Sequence, residues 1–211
     1  MNRFALSFVV AACVCVPQAL AGPDWVEQGD AGSLVDTAQQ TTGTGQINSI
    51  SGTFSEGFGL SDYEDVYLIT ISNPGAFNIS IGSGPGVPGL FIFDPTTQRG
   101  ILGSMTGSIG SFSTDFTESF IGTPGVYAIG IAVNGRMPAS DSGPIFSFAS
   151  PGEISGPDGN GGSLPLIFWN GTPGTVGEYN FDLTGCSFSV PGPGVVGGLG
   201  VAGVLGLRRR R

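Results

Sequence analysis

Glycine and proline interrupt this chain at short intervals and confine regular structure to short segments. Of its 211 residues, 38 are glycine and 15 are proline. Between them lie short runs rich in Phe, Ile, Val and Thr, which are typical of β-strands. The middle of the chain contains no run with the pattern of an ordinary helix. The sequence therefore predicts an all-β fold, an antiparallel β-sandwich of about seven or eight strands.

The alternation of apolar and polar side chains places individual strands. In "DVYLITISNPGAFNISIG", residues 66–71 form a strand with two mostly apolar faces, and Phe77, Ile79 and Ile81 alternate with polar residues. The intervening Asn73-Pro74-Gly75 has turn chemistry and predicts a β-hairpin. The segment 24–44 is polar and predicts an extended lead-in with little regular structure. Further strands are expected at 47–54, 90–93, 126–133, 144–150 and 178–185.

The N-terminus has the order of features found in a secretory signal peptide. Arg3 precedes an apolar stretch from Phe4 to Val16, and small residues then supply a cleavage site. We place the cut after Ala21, so that Gly22 begins the mature chain. This predicts export, with the export machinery and a signal peptidase as partners. Two alternatives stay open, a buried N-terminal element and lipoprotein processing at Cys13.

The C-terminal segment joins a Pro/Gly hinge, an apolar run and a basic cluster. The hinge is Pro191, Gly192 and Pro193, and the run extends from Val195 to Leu207. These 13 residues would span about 20 Å as a helix, which is short for a bilayer core of about 30 Å. Positive charge resists translocation, so the segment predicts a transient inner-membrane stop that displays the hinge outside for cleavage. A minimal permanent anchor is the alternative. The basic cluster consists of Arg208, Arg209, Arg210 and Arg211.

Charge and composition exclude several classes of function. The chain has no histidine and no lysine, which excludes Ser-His-Asp and Cys-His nucleophile systems and His-ligated zinc. Without its two ends, the chain has Arg99 and Arg136 against 16 carboxylates, a net charge of −14. Such a body will not bind nucleic acid through its phosphates. Cys186 would remain as a single cysteine, so no internal disulfide is expected. We predict no enzymatic activity and no cofactor.

Calcium binding stays open as an alternative function. Asp62, Glu64 and Asp65 are clustered ahead of a strand, and the loop "PDGNGGS" offers Asp158 and Asn160. Carboxylate, amide and carbonyl oxygens are the ligands that calcium prefers. Neither set has the spacing of an EF-hand. We therefore expect solvated carboxylates and no preference for calcium over magnesium.

Binding of extracellular polysaccharide is a second alternative. Aromatic side chains that are exposed and coplanar form stacking platforms for sugars. Four residues are candidates for such a platform, namely Tyr67, Tyr127, Trp169 and Tyr179. Core packing is the competing role for most of them.

Part of the chain resembles a known domain family. The segments "SDYEDVYLITISNPGAFNISIG", "GLFIFD" and "GTPGVYAIGIAV" resemble bacterial pre-peptidase C-terminal-like domains over about residues 47–133, with "EYNFDLTG" as a last strand. The resemblance implies a jelly-roll-like β-sandwich that is generally not catalytic and occurs beside secreted enzymes or in surface proteins. Where such domains often carry an Asn/Asp cluster after the "LFLFD" strand, this chain has "ILGSMTGS".

The C-terminal segment resembles PEP-CTERM sorting signals more strongly, with Gly192 where that motif has Glu. This resemblance implies recognition by an exosortase-like membrane protease, removal of the tail, and release to the cell surface or extracellular matrix. The predicted organisation is a signal peptide over 1–21, a β-sandwich domain over 22–188 and a sorting signal over 189–211. The predicted function is that of a non-enzymatic surface or matrix protein.

Overall fold

The computed structural model describes residues 24–57, 61–105, 121–150 and 153–191. Within these ranges the chain forms strands, turns and two short 3₁₀ turns, without an α-helix, which confirms the predicted all-β class. No helix in the described ranges has the length and apolar character needed to cross a membrane. The expected signal peptide and the expected C-terminal sorting helix lie outside the described residues.

The strands are short and follow one another closely along the chain. The 3₁₀ turns are Val35–Thr37 and Pro74–Ala76. The described strands are β1 (Asp24–Val26), β2 (Gln39–Gln40), β3 (Thr42–Gly43), β4 (Ser49–Thr53), β5 (Glu64–Ile71), β6 (Asn78–Ser83), β7 (Gly89–Phe93), β8 (Gly100–Ser104), β9 (Gly125–Ala132), β10 (Met137–Ser140), β11 (Gly143–Pro144), β12 (Ile154–Ser155), β13 (Phe168–Asn170), β14 (Glu178–Thr184), β15 (Cys186–Phe188) and β16 (Val190–Pro191).

The strands assemble into two larger and two smaller sheets. One larger sheet has the order β1-β4-β14-β6, and the other has the order β12-β8-β7-β9-β5-β15 with β2 beside β5. The smaller sheets have the order β11-β10-β13 and β16-β3. Most pairs are antiparallel, as predicted. Three pairs that involve the ends of the described fold are parallel, β1 with β4, β2 with β5, and β16 with β3.

The two larger sheets share one apolar core, and alternate residues of each strand face it. Tyr179, Phe181 and Leu183 of β14 are buried there, as the period-2 pattern predicted, together with Ile69 and Ile71 of β5. The opposite face of the seven-stranded sheet, which contains β5 and β7, is also covered. A second apolar cluster lies on that face and contains Val66 of β5, Phe91 and Phe93 of β7, and Phe146 and Trp169 from later in the chain. Burial on both faces explains why β5 and β7 are nearly continuous apolar runs.

The predicted hairpin of β5 and β6 is wrong. The two strands belong to different sheets, because β5 pairs with β9 and β15 whereas β6 pairs with β14. The Asn73-Pro74-Gly75 segment forms a 3₁₀ turn that carries the chain from one sheet to the other. The Gly185 carbonyl, between β14 and β15, accepts hydrogen bonds from the N–H groups of Ser72 (3.1 Å) and Asn73 (3.2 Å). The connection after β5 and the connection between β14 and β15 both cross between the sheets, and these hydrogen bonds join them.

The lead-in at 24–44 is more ordered than its polar sequence predicted. It contains β1, β2 and β3 and the 3₁₀ turn Val35–Thr37. Trp25 Nε1 donates to Gln39 Oε1 at 3.0 Å, which joins the first part of this segment to β2. Parallel pairing of β1 with β4 and of β2 with β5 attaches the segment to both larger sheets.

Candidate functional site

Three carboxylates from separate segments meet where β1 ends and β5 begins. Glu27 directly follows β1, and its N–H donates to Ser51 O of β4 at 2.9 Å. Asp62 is paired with Ser55 in an antiparallel bridge, and Asp65 is the second residue of β5. One carboxylate oxygen from each of Glu27, Asp62 and Asp65 lies within 4.8 Å of the other two.

Backbone donors hold the Glu27 side chain in place. Its Oε1 accepts a hydrogen bond from Ala31 N at 3.1 Å, and its Oε2 accepts one from Thr53 N at 2.9 Å. A carboxylate can accept about four hydrogen bonds or ligand contacts, so both oxygens keep further capacity. The Glu27 carboxylate is thus oriented by the fold and remains able to contact another group.

Asp65 is fully buried and terminates a chain of hydroxyl groups. Tyr179 Oη donates to Asp65 Oδ2 at 2.7 Å. The Tyr67 and Tyr179 hydroxyl oxygens lie 2.5 Å apart, and because the single Tyr179 proton is directed to Asp65, Tyr67 donates to Tyr179. Asp65 is 0% exposed, and its Oδ1 has no hydrogen-bond partner among the described residues. Such an oxygen is costly to bury and calls for an explanation.

Burial and mutual repulsion disfavour ionisation at this cluster. Burial, followed by the charge of Asp62, raises the pKa of Asp65 to about 8, although the Tyr179 hydrogen bond opposes the increase. Burial, followed by the charges of Asp30 and Glu27, raises the pKa of Asp62 to about 7. Burial also raises the pKa of both Tyr67 and Tyr179 well above the ordinary value, so both hydroxyls stay protonated.

A polar pocket of about 480 Å³ opens beside the carboxylates. Asp30 stands on its rim, where its Oδ1 accepts a hydrogen bond from Gly32 N at 2.7 Å. Water and small ions can enter this space, while Asp65 lies beneath the surface. The lining includes the carboxylates of Glu27, Asp30 and Asp62 and the hydroxyls of Thr53, Ser55 and Ser61.

Glu64, the third acidic residue of the predicted cluster, faces a different partner. It forms an ion pair with Arg136 Nε. Burial raises the pKa of Glu64, and the Arg136 hydrogen bond and charge oppose that shift. Arg136 also donates from Nη1 to Gly171 O at 2.9 Å and lies 5.9 Å from the centroid of the Tyr63 ring. Glu64 and Arg136 thus connect β5 to the β9–β10 turn and to the segment after β13.

The second predicted oxygen set is used within its own loop. Asp158 Oδ1 accepts hydrogen bonds from Ser147 N at 2.9 Å and from Ser155 Oγ at 3.1 Å. Asn160 is exposed nearby. Asp158 therefore has a structural role in joining this loop to the segment after β11.

The four predicted aromatic residues do not form a stacking platform. Tyr67, Tyr179 and Trp169 are buried, and Trp169 Nε1 donates to Ser33 O at 2.6 Å. Tyr127 is half-buried, and its hydroxyl donates to Thr123 O at 2.6 Å. These residues are engaged in packing and in internal hydrogen bonds.

The processing residues lie at or beyond the limits of the described chain. Pro191 is the last residue of β16 and pairs with Gly43. Strand pairing therefore extends three residues past position 188. The remaining predicted processing and sorting residues lie outside the described ranges, namely Ala21, Gly22, Gly192, Pro193, Arg208, Arg209, Arg210 and Arg211.

Sequence reasoning missed Glu27, because its segment was expected to lack regular structure. The available signal was the pair Glu27 and Asp30 in "EQGD", with Gly29 between them at a φ of 76°. No protein-family model matches the chain, and the curated proteins contain no significant match to it.

Proposed function

We propose that this chain is a non-enzymatic exported protein of the cell surface or extracellular matrix, delivered by a PEP-CTERM-like tail. One observation carries the proposal. The last described strand pairing ends at Pro191, and the following residues are Gly192 and Pro193, an apolar run and four consecutive arginines. The sorting features thus begin at the last residue of β16, Pro191, and otherwise follow the folded part of the chain in sequence.

The body that would be displayed is a β-sandwich of the jelly-roll-like class. Supporting this assignment, the two larger sheets contribute alternate side chains to one apolar core. The chain crosses between these sheets at the 3₁₀ turn after β5 and again at Gly185, as sandwich connections do.

A non-enzymatic role agrees with the side-chain chemistry of the chain. It has no histidine or lysine to act as a general base or nucleophile near neutral pH. The buried tyrosine hydroxyls donate internal hydrogen bonds, and Cys186 is buried with its pKa raised to about 12 by desolvation. These groups are protected within the fold and do not face an open cleft.

The partners follow from charge and from the two ends of the chain. A signal peptidase would act after Ala21, and an exosortase-like membrane protease would act at the hinge, whose first residue, Pro191, ends β16. The net charge of −14 between the two ends opposes binding to nucleic acid and to anionic lipid. Polysaccharide binding through the four aromatic residues gains no support, because three of them are buried.

Fractionation of the native cells with intact-mass measurement tests this proposal. We expect an external species that begins at Gly22 and has lost the arginine cluster. Replacing Arg208–Arg211 by serine should cause retention or mislocalisation, because the charge that holds the tail on the cytoplasmic side is gone. Replacing the same four residues by lysine is the matched control and keeps that charge. An internal protein of full-length mass would refute the proposal.

A further inference from the structure

The acidic cluster beside β1 contains a buried oxygen that none of the described residues contacts through a hydrogen bond. Asp65 Oδ1 is unpartnered among the described residues in a side chain that is 0% exposed. An oxygen of this carboxylate lies within 4.8 Å of carboxylate oxygens of Glu27 and Asp62. We propose that Glu27, Asp62 and Asp65 bind a divalent cation, with calcium preferred.

Within the described ranges, neither Arg99 nor Arg136 forms an ion pair with the three carboxylates. Lysine and histidine are absent from the sequence, and Arg136 is paired with Glu64. Arg99 is exposed in the connection from β7 to β8. Three carboxylates this close repel one another strongly where water is partly excluded. A bound cation converts that repulsion into attraction.

The spacing of the oxygens agrees with calcium coordination. Calcium binds oxygens at about 2.3–2.6 Å, so two of its ligands lie at most about 5 Å apart. The three carboxylates come from the segment after β1, from the bridge before β5 and from β5 itself. Calcium accepts six to eight oxygens in flexible geometry, whereas magnesium requires a nearly octahedral shell. The adjoining pocket leaves room for water ligands.

The surrounding hydrogen bonds orient the ligands before a cation arrives. Tyr179 fixes Asp65 through Oδ2, and the N–H groups of Ala31 and Thr53 fix Glu27. Such outer contacts are typical of metal sites because they hold ligand carboxylates in orientation. A cation here would cross-link the polar lead-in to the start of β5. The inference concerns the folded body and does not depend on the proposed sorting tail.

Thermal unfolding of the full-length chain in calcium or magnesium, at equal ionic strength, tests the site. Extracellular calcium modules bind with dissociation constants of about 10⁻⁴–10⁻³ M, so the titration should extend to about 10 mM. We expect calcium to raise the melting temperature more than magnesium does. Isothermal titration calorimetry should show one calcium ion bound per chain at this site. Equal shifts for the two ions would overturn the proposal, since charge screening alone acts alike on both.

Matched variants assign the effect to the named residues. Asp65→Asn and Glu27→Gln should each weaken calcium binding by about tenfold or more, because ligand charge sets calcium affinity. Asp141→Asn removes one charge from an exposed turn between β10 and β11 and should leave the calcium response unchanged. If Asp65→Asn fails to fold, Glu27→Gln and Asp62→Asn decide, since both side chains are only partly buried. A calcium response that persists in these variants would overturn the assignment.

Discussion

The Tyr179 hydroxyl donates a 2.7 Å hydrogen bond to the buried carboxylate of Asp65 and thereby joins the two larger sheets. Tyr179 belongs to β14 of the four-stranded sheet, and Asp65 belongs to β5 of the seven-stranded sheet. Tyr67, also on β5, donates to the same Tyr179 oxygen. A polar chain therefore crosses an otherwise apolar core, and its donors have fixed directions.

The order of these hydrogen bonds predicts that Tyr179→Phe and Tyr67→Phe have unequal effects on stability, although each removes one hydroxyl group. Tyr179→Phe leaves Asp65 without its donor and Tyr67 without its acceptor, so it should lower the free energy of unfolding by about 2–4 kcal/mol. Tyr67→Phe keeps the Tyr179–Asp65 bond and should cost about 1 kcal/mol. Denaturant unfolding of both variants measures the difference. Equal costs would mean that the order of donors is wrong.

The end of the described fold predicts where the chain can be shortened. Phe188 is buried, and the N–H groups of Ser189 and Val190 donate to Thr41 Oγ1 and Thr41 O at 3.0 and 3.1 Å. A chain from Gly22 to Pro191 should unfold like one that extends to Arg211. A chain that stops at Ser187 loses these contacts and should be less stable by about 3 kcal/mol or more.

Guanidinium unfolding of the three chains checks this expectation. The comparison also bears on the sorting proposal, which requires that the tail make no contribution to the fold. If removal of residues 192–211 costs as much as the further removal of residues 188–191, the tail belongs to the core.

Local patterns were sufficient to predict most of the central strands. The alternation in "EYNFDLTG" placed Tyr179, Phe181 and Leu183 on one face, and all three are buried in the core. The two apolar faces of β5 indicated burial on both sides, which the two core clusters confirm. A period of two is a property of neighbouring residues, so it is visible without knowledge of the sheet order.

Pairing between distant segments was not visible in the sequence. A turn at Asn73-Pro74-Gly75 is compatible with a hairpin or with a crossing between sheets. The crossing that forms is hydrogen-bonded to Gly185, more than 100 residues away. Glu27 lies near Asp65 at the end of β1, which pairs in parallel with β4. Parallel pairs need long connections, so neighbouring residues carry little information about them. The sequence prediction therefore included Glu64 and omitted Glu27.

Cys186 should be unreactive in the folded protein. Burial raises the pKa of its thiol from 9.0 to about 12, so at about pH 8 roughly one thiol in 10⁴ is ionised. In a chain carrying Cys13→Ser and Cys15→Ser, a disulfide reagent should label Cys186 only after unfolding. Fast labelling of the native protein would show that the thiol is accessible.

The same pKa shift predicts a dependence of stability on pH. The unfolded thiol ionises above about pH 9, whereas the folded thiol stays protonated to about pH 12. Its stabilising contribution is therefore complete below pH 9 and is lost as the pH rises towards 12. Relative to Cys186→Ala, the parent should lose up to about 1.4 kcal/mol per pH unit in this window. A constant difference in unfolding free energy across the window would contradict the shift.

The close packing around Gly185 predicts that Gly185→Ala, which adds one methyl group, lowers the free energy of unfolding strongly. Gly185 has a φ of 71°, and a Cβ there would lie 2.6 Å from Ala76 C and 2.7 Å from Phe77 N, both backbone atoms. Gly45 is the matched control, because its φ is 83° and a Cβ there would have no neighbour within 4 Å. Gly45→Ala should cost about 1–2 kcal/mol for the left-handed backbone alone. Gly185→Ala adds a clash with the 3₁₀ turn and should cost about 3 kcal/mol or more. Chemical denaturation of both variants measures these costs, and a Gly185→Ala chain as stable as Gly45→Ala would show that the two crossings are not packed together.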